Sequence, residues 1–428
     1  MKKKIKEVTK MGGMRKLFLG AVCAVLCAGL AQPLFAGEID ILVQKLVEKG
    51  VLTYGEAQQI MTETKEELRT KMAKGEMDTL PSWVQNLKLK GDLRLRYQWE
   101  DKTGSEDRHR GRLRFRLGMQ SKVNDKITVA AGLATGGSDP RSTNQTLQNT
   151  FDTPDIRLDY AYAQYAVTPW LTVKGGKISS IKKLIFRPSD LLWDSDINPE
   201  GLSAQMNYTL ADGVAGFFNT GLWILDEDSG NTSDPFMYVL QPGVTVKAKD
   251  IGIASKSKFQ LAVAYYGFND VQGNTLDNAE GGPTLDANGN YAYDFNAVAP
   301  GFKWGLTEPL NGVIPYLEIF GDYVHNPDPD NDNNGWLAGV KFGDAKIKKW
   351  GDWQMKYMYR RLEADAWLDT FPDSDAFSGK TAVKGHEVAL VYGVGKHTEV
   401  GLDYYQMERI PESDGRRHIL QLDWKLKF

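Results

Sequence analysis

The sequence predicts an all-β transmembrane barrel, closed, with about 16 antiparallel strands and a short N-terminal periplasmic helical segment. Three observations predict this fold class: the pattern of the C-terminus, an export signal at the N-terminus, and an apolar/polar alternation from Leu87 onwards. At the C-terminus, Leu420, Leu422, Trp424 and Phe428 alternate with polar residues, as in a strand with one apolar face. A closing strand that ends in an aromatic residue is typical of bacterial outer-membrane barrels. A secreted β-sandwich or β-propeller would share the overall composition.

The first 36 residues read as a signal peptide. Seven Lys and Arg residues precede an apolar run from Leu17 to Ala31, and Ala36 offers a cleavage site before Gly37. Leu34 stands where such a site prefers a small residue. Both cysteines, Cys23 and Cys27, lie inside the signal, so no disulfide or thiol chemistry is expected in the mature chain.

Cleavage after residue 36 would leave 45 Lys and Arg against 54 Asp and Glu, a net charge of −9. A mildly acidic exported chain is not expected to bind nucleic acid. Outside the signal, no window contains the 18 or more apolar residues of a membrane helix. A membrane crossing would therefore be made by strands.

Residues 37–82 are predicted to form a periplasmic helical hairpin and a linker. Apolar residues recur at helical spacing from Ile39 to Val47, and a second helix begins at Thr53, where Glu56 completes a capping box. Pro81 marks the linker. A coiled-coil or cell-wall contact is the alternative role of this segment.

The barrel is predicted over residues 83–428, because the period of two persists throughout it. After the first strand, Leu87 to Trp99, alternating segments recur at 110–122, 126–136, 154–167, 170–179, 200–210, 213–225, 236–248, 257–268, 293–306, 313–325, 335–347, 351–363, 382–393, 397–410 and 415–428. Short turns alternate with long loops between them. This asymmetry predicts a barrel with a short-turn rim and a long-loop rim, which a sandwich would not need.

A basic row marks the first two strands. It consists of Lys88, Lys90, Arg94 and Arg96 on one strand and Arg110, Arg112, Arg114 and Arg116 on the next. Near the middle of a bilayer each charge would cost several kcal/mol if it faced lipid. The row is therefore predicted to line a wet lumen. An acidic partner is available in the long loop over 180–200, which carries Asp190, Asp194, Asp196 and Glu200.

The run from Asp190 to Gly201, the helical lead segment, the Ala161–Tyr165 strand and the terminal Phe428 resemble the bacterial putative porin family over essentially the whole mature chain. The resemblance implies a 16-stranded outer-membrane diffusion pore of undefined substrate. By analogy with general porins, it implies that this third loop folds inward and that its acids face Arg94, Arg96, Arg112, Arg114 and Arg116 across a constriction. A structural latch and an external loop are the alternatives for this segment.

The function predicted is passive diffusion of small hydrophilic solutes and ions, with outer-membrane lipid and a possible homotrimer as partners. The alternatives are an anion- or phosphate-selective porin, and a sheath for partner proteins such as exported electron carriers. An outer-membrane enzyme is the weakest rival, because the five histidines are scattered. No cofactor and no metal are predicted. A calcium-like loop at Asp328–Gly335 has Lys341 where a bidentate Glu is needed.

Overall fold

The computed structural model describes residue 43 and residues 46–48, 50–73, 82–227, 229–230, 234–411 and 415–428. The chain divides into two compact units, Met1–Pro81 and Ser82–Phe428. The predicted signal peptide and the linker lie outside the described residues, as does most of the first predicted helix.

Helix α1, Tyr54–Ala73, belongs to the N-terminal unit. It begins with the predicted capping box: the Thr53 amide donates to Glu56 Oε2 at 2.9 Å, and the Glu56 amide donates to Thr53 Oγ1 at 3.4 Å. The two side chains thus pair amide groups that the first helical turn leaves free. None of the described helices is long and apolar enough to cross a membrane.

The second unit is a closed antiparallel barrel of 16 strands, which confirms the predicted fold class. A four-residue helix α2, Ser82–Gln85, precedes it. The strands are β1 Lys88–Lys102, β2 Arg108–Lys122, β3 Ile127–Thr135, β4 Gln145–Thr146, β5 Ile156–Thr168, β6 Leu171–Lys177, β7 Glu200–Ala211, β8 Val214–Ile224, β9 Phe236–Lys249, β10 Lys256–Asn269, β11 Ala297–Thr307, β12 Tyr316–His325, β13 Asn334–Gly343, β14 Trp353–Leu362, β15 Val383–Gly395, β16 Thr398–Arg409 and β17 Arg416–Lys427.

The barrel closes between β1 and β17. Their register runs from Asp92 opposite Lys427 to Lys102 opposite Arg417. Closure removes the free sheet edges, whose backbone groups could not be solvated in lipid. The short strand β4 is additional to the ring of 16, and it pairs with β2 through Arg112 and Leu113.

The predicted strands differ from the observed ones mainly at their ends. The segment predicted at 293–306 begins at Ala297, and the one predicted at 313–325 begins at Tyr316. Residues 270–296 form a long loop, in which Tyr291 and Phe295 are buried. The buried aromatic residues of this loop continue the apolar alternation of the strand that follows it. The sequence alone therefore places the start of that strand too early.

The two faces of the barrel wall differ as the alternation predicts. On β1, Leu95 and Tyr97 are exposed on the outer surface, whereas Arg94 and Arg96 are buried. The lumen also contains an apolar core. It joins strand residues such as Trp223 and Met237 to loop residues such as Trp193. Loops therefore fill part of the bore instead of covering only its mouth.

Candidate functional site

Two long loops meet inside the barrel. Loop A is residues 178–199, between β6 and β7, and loop B is residues 363–382, between β14 and β15. The Asp194 amide of loop A donates to the Phe371 carbonyl of loop B at 2.6 Å. The Trp367 indole donates to the Leu192 carbonyl at 2.7 Å. The ring centroids of Trp193 and Phe371 are 4.6 Å apart. Loops A and B thus form one packed unit.

Loop A is bonded to residues in the middle of the barrel wall. The Phe186 amide donates to Gln241 Oε1 of β9 at 2.6 Å, and Gln241 Nε2 donates back to the Phe186 carbonyl at 2.8 Å. On β12, the Asp322 carboxylate accepts a hydrogen bond from the Ser189 hydroxyl. Because both wall residues lie at mid-strand with their side chains turned inward, these bonds hold loop A within the lumen.

Three arginines of the basic row, Arg96, Arg114 and Arg116, are hydrogen-bonded to carboxylates. Arg96 makes a two-point contact with Asp423 of β17, at 2.6 Å and 2.8 Å. Asp92 of β1 accepts from Arg114 at 2.7 Å and from Arg116 at 2.8 Å. These charge-assisted bonds hold the guanidinium groups in fixed positions.

The remaining members of the row differ in their surroundings. Arg110 is paired with Glu100 at 2.9 Å, whereas Arg112 donates to the neutral side chain of Gln98 at 3.2 Å. Lys88 and Lys90 are exposed near the start of β1.

The predicted acidic residues of loop A divide between two sides of the lumen. Asp196 is bonded to Arg116 at 3.2 Å and accepts from the Thr143 hydroxyl at 2.9 Å. Asp190 instead pairs with Arg360 of β14 at 2.7 Å. Glu200 is exposed at the start of β7, beside Lys177, and does not line the constriction cavity described below.

Asp194 joins the two loops. Its carboxylate accepts from the Ser374 amide at 2.9 Å and from the Asp196 amide at 2.8 Å. Burial raises the pKa of Asp194 to about 7, and the neighbouring charge of Asp196 adds to the rise. Burial acts in the same direction on Asp190, but the attraction of Arg360 and Lys356 outweighs it and lowers the pKa of that carboxyl.

Loop B supplies two acidic residues that the sequence reasoning missed, Asp373 and Asp375. Asp375 lies 3.2 Å from Arg96 Nη1. Burial alone would raise the pKa of Asp375, but Arg96, Arg112 and Arg94 lower it. The sequence contained a signal, because residues 371–375 read Phe-Pro-Asp-Ser-Asp within a long loop. Nothing in the sequence placed this loop opposite the basic row.

A second basic group lies on the wall formed by β14 and β15. The Nη2 atom of Arg360 is 2.7 Å from Asp190, 3.0 Å from Glu387 and 3.4 Å from Asp373. The three carboxylates have oxygens within 4.8 Å of one another, a spacing that a metal ion could use. The Arg360 guanidinium already supplies a positive charge to all three, and Lys356 pairs with Glu387. Two cations thus face the three carboxylates of this cluster.

Between the arginines and the loop acids lies a cavity of about 170 Å³, which we call the constriction cavity. Its charged lining consists of Arg94, Arg96, Arg114, Arg141, Lys356 and Lys425, with Asp190, Asp194, Asp196, Asp373, Asp375, Glu387 and Asp403. A second polar cavity of about 160 Å³ is lined by Gln98, Arg110 and Arg112 on the arginine side. We call it the loop-side cavity, because those residues lie further towards the long-loop rim. Ser374 and Asp375 line both cavities.

The family model described as "Putative porin" matches residues 101–304 and 284–428. The chain belongs to this family. The predicted resemblance is thereby confirmed, and the family and the barrel fold together imply an outer-membrane location and a channel. A search of curated proteins gave no significant match.

Solved structures similar to this porin family member include bacterial porins. The high-pH structure of Pseudomonas putida OprB has a TM-score of 0.51 at 13% identity, and the match covers 80% of this chain and 94% of that one. A mutant of the Rhodopseudomonas blastica porin matches at 10% identity and a TM-score of 0.44, over 80% of this chain and 100% of that one. At such identities the likeness to OprB concerns the fold alone.

Proposed function

We propose that this porin conducts small hydrophilic solutes and ions by passive diffusion along an off-centre polar path. The path follows Arg110 and Arg112 through the loop-side cavity. It continues past Arg94, Arg96 and Arg114 through the constriction cavity. The single observation that carries the proposal is the constriction cavity itself, where wall arginines face carboxylates from loops A and B. Opposed charges across a narrow passage create a transverse field, which favours polar solutes over apolar ones.

The apolar core supports a narrow path over a wide one. Trp193 is 2% exposed and packs against Trp223 of the wall and Trp367 of loop B. Interiors packed in this way leave little room for solutes. With this side of the lumen filled, passage is restricted to the charged side.

The same geometry favours a pore over a sheath. A sheath for a partner protein needs an open bore, preferably with apolar patches that the partner can cover. A passage of about 170 Å³ lined by charged groups is far smaller than any protein domain. Solutes of a few non-hydrogen atoms fit this passage, and exported electron carriers do not.

Planar-bilayer conductance in a salt gradient tests the proposal. The wild-type chain is compared with a triple variant, Arg94→Gln, Arg112→Gln and Arg114→Gln. Stable conductance steps are expected for both, with the reversal potential of the variant shifted towards cation selectivity, because the wall loses three positive charges. A matched control removes three exposed charges near the long-loop rim, Lys102→Gln, Arg108→Gln and Arg416→Gln. We expect the control to shift the reversal potential much less. A folded barrel without any conductance would overturn the proposal.

Signal-peptide cleavage and a homotrimeric assembly are finer parts of the same proposal. Mass spectrometry of the protein from outer membranes should give an N-terminus at Gly37. The molecular mass in detergent should be three times that of the mature chain. A retained signal would contradict the proposed cleavage, and a monomeric mass would contradict the proposed trimer. Neither result would contradict the proposed pore.

A further inference from the structure

The constriction cavity contains one cation that the protein leaves largely unmatched. Arg94 is 8% exposed and lines the cavity. A guanidinium has five N–H donors. Among the described residues, Arg94 has one hydrogen-bonded partner, the neutral amide oxygen of Asn144. Its Nε is buried without a partner, and the nearest carboxylate oxygen, on Asp423, is 3.7 Å from Nη1.

The neighbouring Arg96, on the same wall, has carboxylate partners for all three of its guanidinium nitrogens. It is bonded to Asp423 through two nitrogens and to Asp375 through a third. Buried charges are normally paired in this way, because an unmatched charge loses its hydration without compensation. Arg94, unlike Arg96, therefore retains donor capacity for a further acceptor.

The same cavity contains a carboxyl group that has no directly bonded partner among the residues that the structure describes. Asp403 of β16 lines it, and within the described part of the chain its carboxylate has no side-chain hydrogen bond and no ion pair. The two lysines of the lining are paired with other carboxylates. The cross-strand neighbour of Asp403, Gln421, has a buried side-chain oxygen without a partner. The lining therefore offers one incompletely paired group of each sign to a solute.

We propose that the constriction cavity binds small zwitterionic solutes, with the carboxylate on Arg94 and the ammonium group on Asp403. This inference rests on the proposed function and names the solute class of the same pore. The charged lining numbers six basic and seven acidic side chains, so neither a simple anion nor a simple cation is strongly preferred. A molecule that carries both charges offers a partner of opposite sign to each of these two groups. Free amino acids with small side chains have this chemistry.

The size of the cavity agrees with this class. Its volume is about 170 Å³. An apolar protein cavity of about 150 Å³ accommodates a benzene molecule. The space is therefore sufficient for a small amino acid and insufficient for an oligosaccharide.

Liposome swelling tests the inference with L-alanine and lactamide as probes. Lactamide is an uncharged isomer of alanine, so the two solutes differ in charge distribution and hardly in size. We expect the wild-type pore to admit alanine faster than lactamide. Arg94→Gln and Asp403→Asn should each lower the ratio of the two rates by about tenfold or more, the effect of one charge-assisted hydrogen bond.

Two further variants make the test decisive. Arg108→Gln removes the same charge from an exposed position at the start of β2 and should leave the ratio unchanged. Asn144→Asp keeps Arg94 and gives it a carboxylate partner, so it should lower the ratio even if Arg94→Gln fails to fold. Equal wild-type rates for both solutes, or a ratio that no variant changes, would overturn the inference while the pore stands. Swelling with neither solute would overturn the proposed function itself.

Discussion

The charge of Arg360 is buried and is paired with three carboxylates. The residue is 2% exposed, and its guanidinium joins loop A, loop B and the wall through Asp190, Asp373 and Glu387. Removal of one partner from a buried ion cluster leaves the others as unmatched charges in a poorly hydrated site. The cluster therefore acts as a structural joint between the loops and the wall.

Arg360→Met should destabilise the folded barrel by about 3–5 kcal/mol, because three carboxylates lose their shared cation. Urea unfolding in lipid vesicles measures the change. Arg361→Gln is the matched control, since Arg361 pairs with Glu363 and its side chain is 33% exposed. A loss below about 1 kcal/mol is expected there. Equal losses for the two variants would contradict the role given to Arg360.

Asp194 makes the contact between the loops sensitive to pH. Its folded-state pKa is about 7, above the ordinary value of 3.8. Between these values the folded chain retains a proton that the unfolded chain has released, so stability falls as the pH rises from about 4 to about 7. The Asp194→Asn variant has no carboxyl proton at this position, so this contribution to the pH dependence of its stability is absent.

The wild-type chain should therefore lose stability relative to Asp194→Asn over this pH range, by an amount on the order of 2–4 kcal/mol. Urea titrations of both chains at pH 4, 5.5, 7 and 8 measure the difference. We expect the difference to level off above pH 7. A difference that is constant with pH, or that grows in the opposite direction, would show that Asp194 does not titrate in this range.

At the scale of elements, Trp193 supplies the apolar contact between loop A, loop B and the wall. Its ring contacts Trp223 of the wall and both Trp367 and Phe371 of loop B. Replacement of a buried Trp by Ala typically costs about 3–5 kcal/mol, through lost burial and the cavity left behind. The loss falls on the packing between loops A and B, because the strands keep their own ladders.

Trp193→Ala should accordingly loosen loops A and B and raise the single-channel conductance. Trp350→Ala is the control, because Trp350 is 68% exposed on a short-turn connection. Its conductance should equal that of the wild type. A lower conductance for Trp193→Ala would mean that the loops collapse into the path when their core is weakened.

The closing strand pair depends on a close approach at Gly91. The backbone groups of Gly91 and Phe428 exchange two hydrogen bonds, at 2.7 Å and 3.0 Å. A Cβ on residue 91 would lie 2.4 Å from a ring carbon of Phe428 and 2.7 Å from the Arg116 carbonyl oxygen. Because the second contact is with backbone, a rotation of the Phe428 ring alone cannot relieve the clash.

Gly91→Ala should thus destabilise closure of the barrel by about 1–3 kcal/mol, as overpacking usually does. The folded fraction after refolding into detergent micelles measures the effect. At Gly137 no atom lies within 4 Å of an added Cβ, so Gly137→Ala serves as the control. Identical folded fractions for the two variants would exclude a steric role of Gly91.

At the scale of the whole molecule, the bore has a polar side and an apolar side. Ser374 lines both polar cavities, whereas Ala264 is 1% exposed within the apolar core. If cleavage removes both cysteines with the signal, single-cysteine labelling can map this division. Ser374→Cys should react rapidly with a charged methanethiosulfonate reagent, and Ala264→Cys should react far more slowly. Similar rates would indicate a wide, water-filled bore.

The sequence by itself determined the class of fold and the sidedness of the wall. Alternation with a period of two is a local property of strands, and a charged row can face only water at membrane depth. The strand count, the alternation of short and long connections and the lumen-facing arginines of β1 and β2 follow from these two constraints. They require no knowledge of which strands or loops meet.

Only the tertiary structure decided which groups meet across the lumen. It directs Asp190 to Arg360, leaves Glu200 beside Lys177, and brings Asp375 of loop B to Arg96. Loop position depends on packing between segments that are distant in sequence, such as Trp193 with Trp367. The local alternation of apolar and polar residues does not predict such contacts. The sequence therefore suggested the acids of loop A as partners for the arginine row, but in the described part of the chain only Asp196 is bonded to a member of that row. The partner of each acid depends on the packed core between the loops.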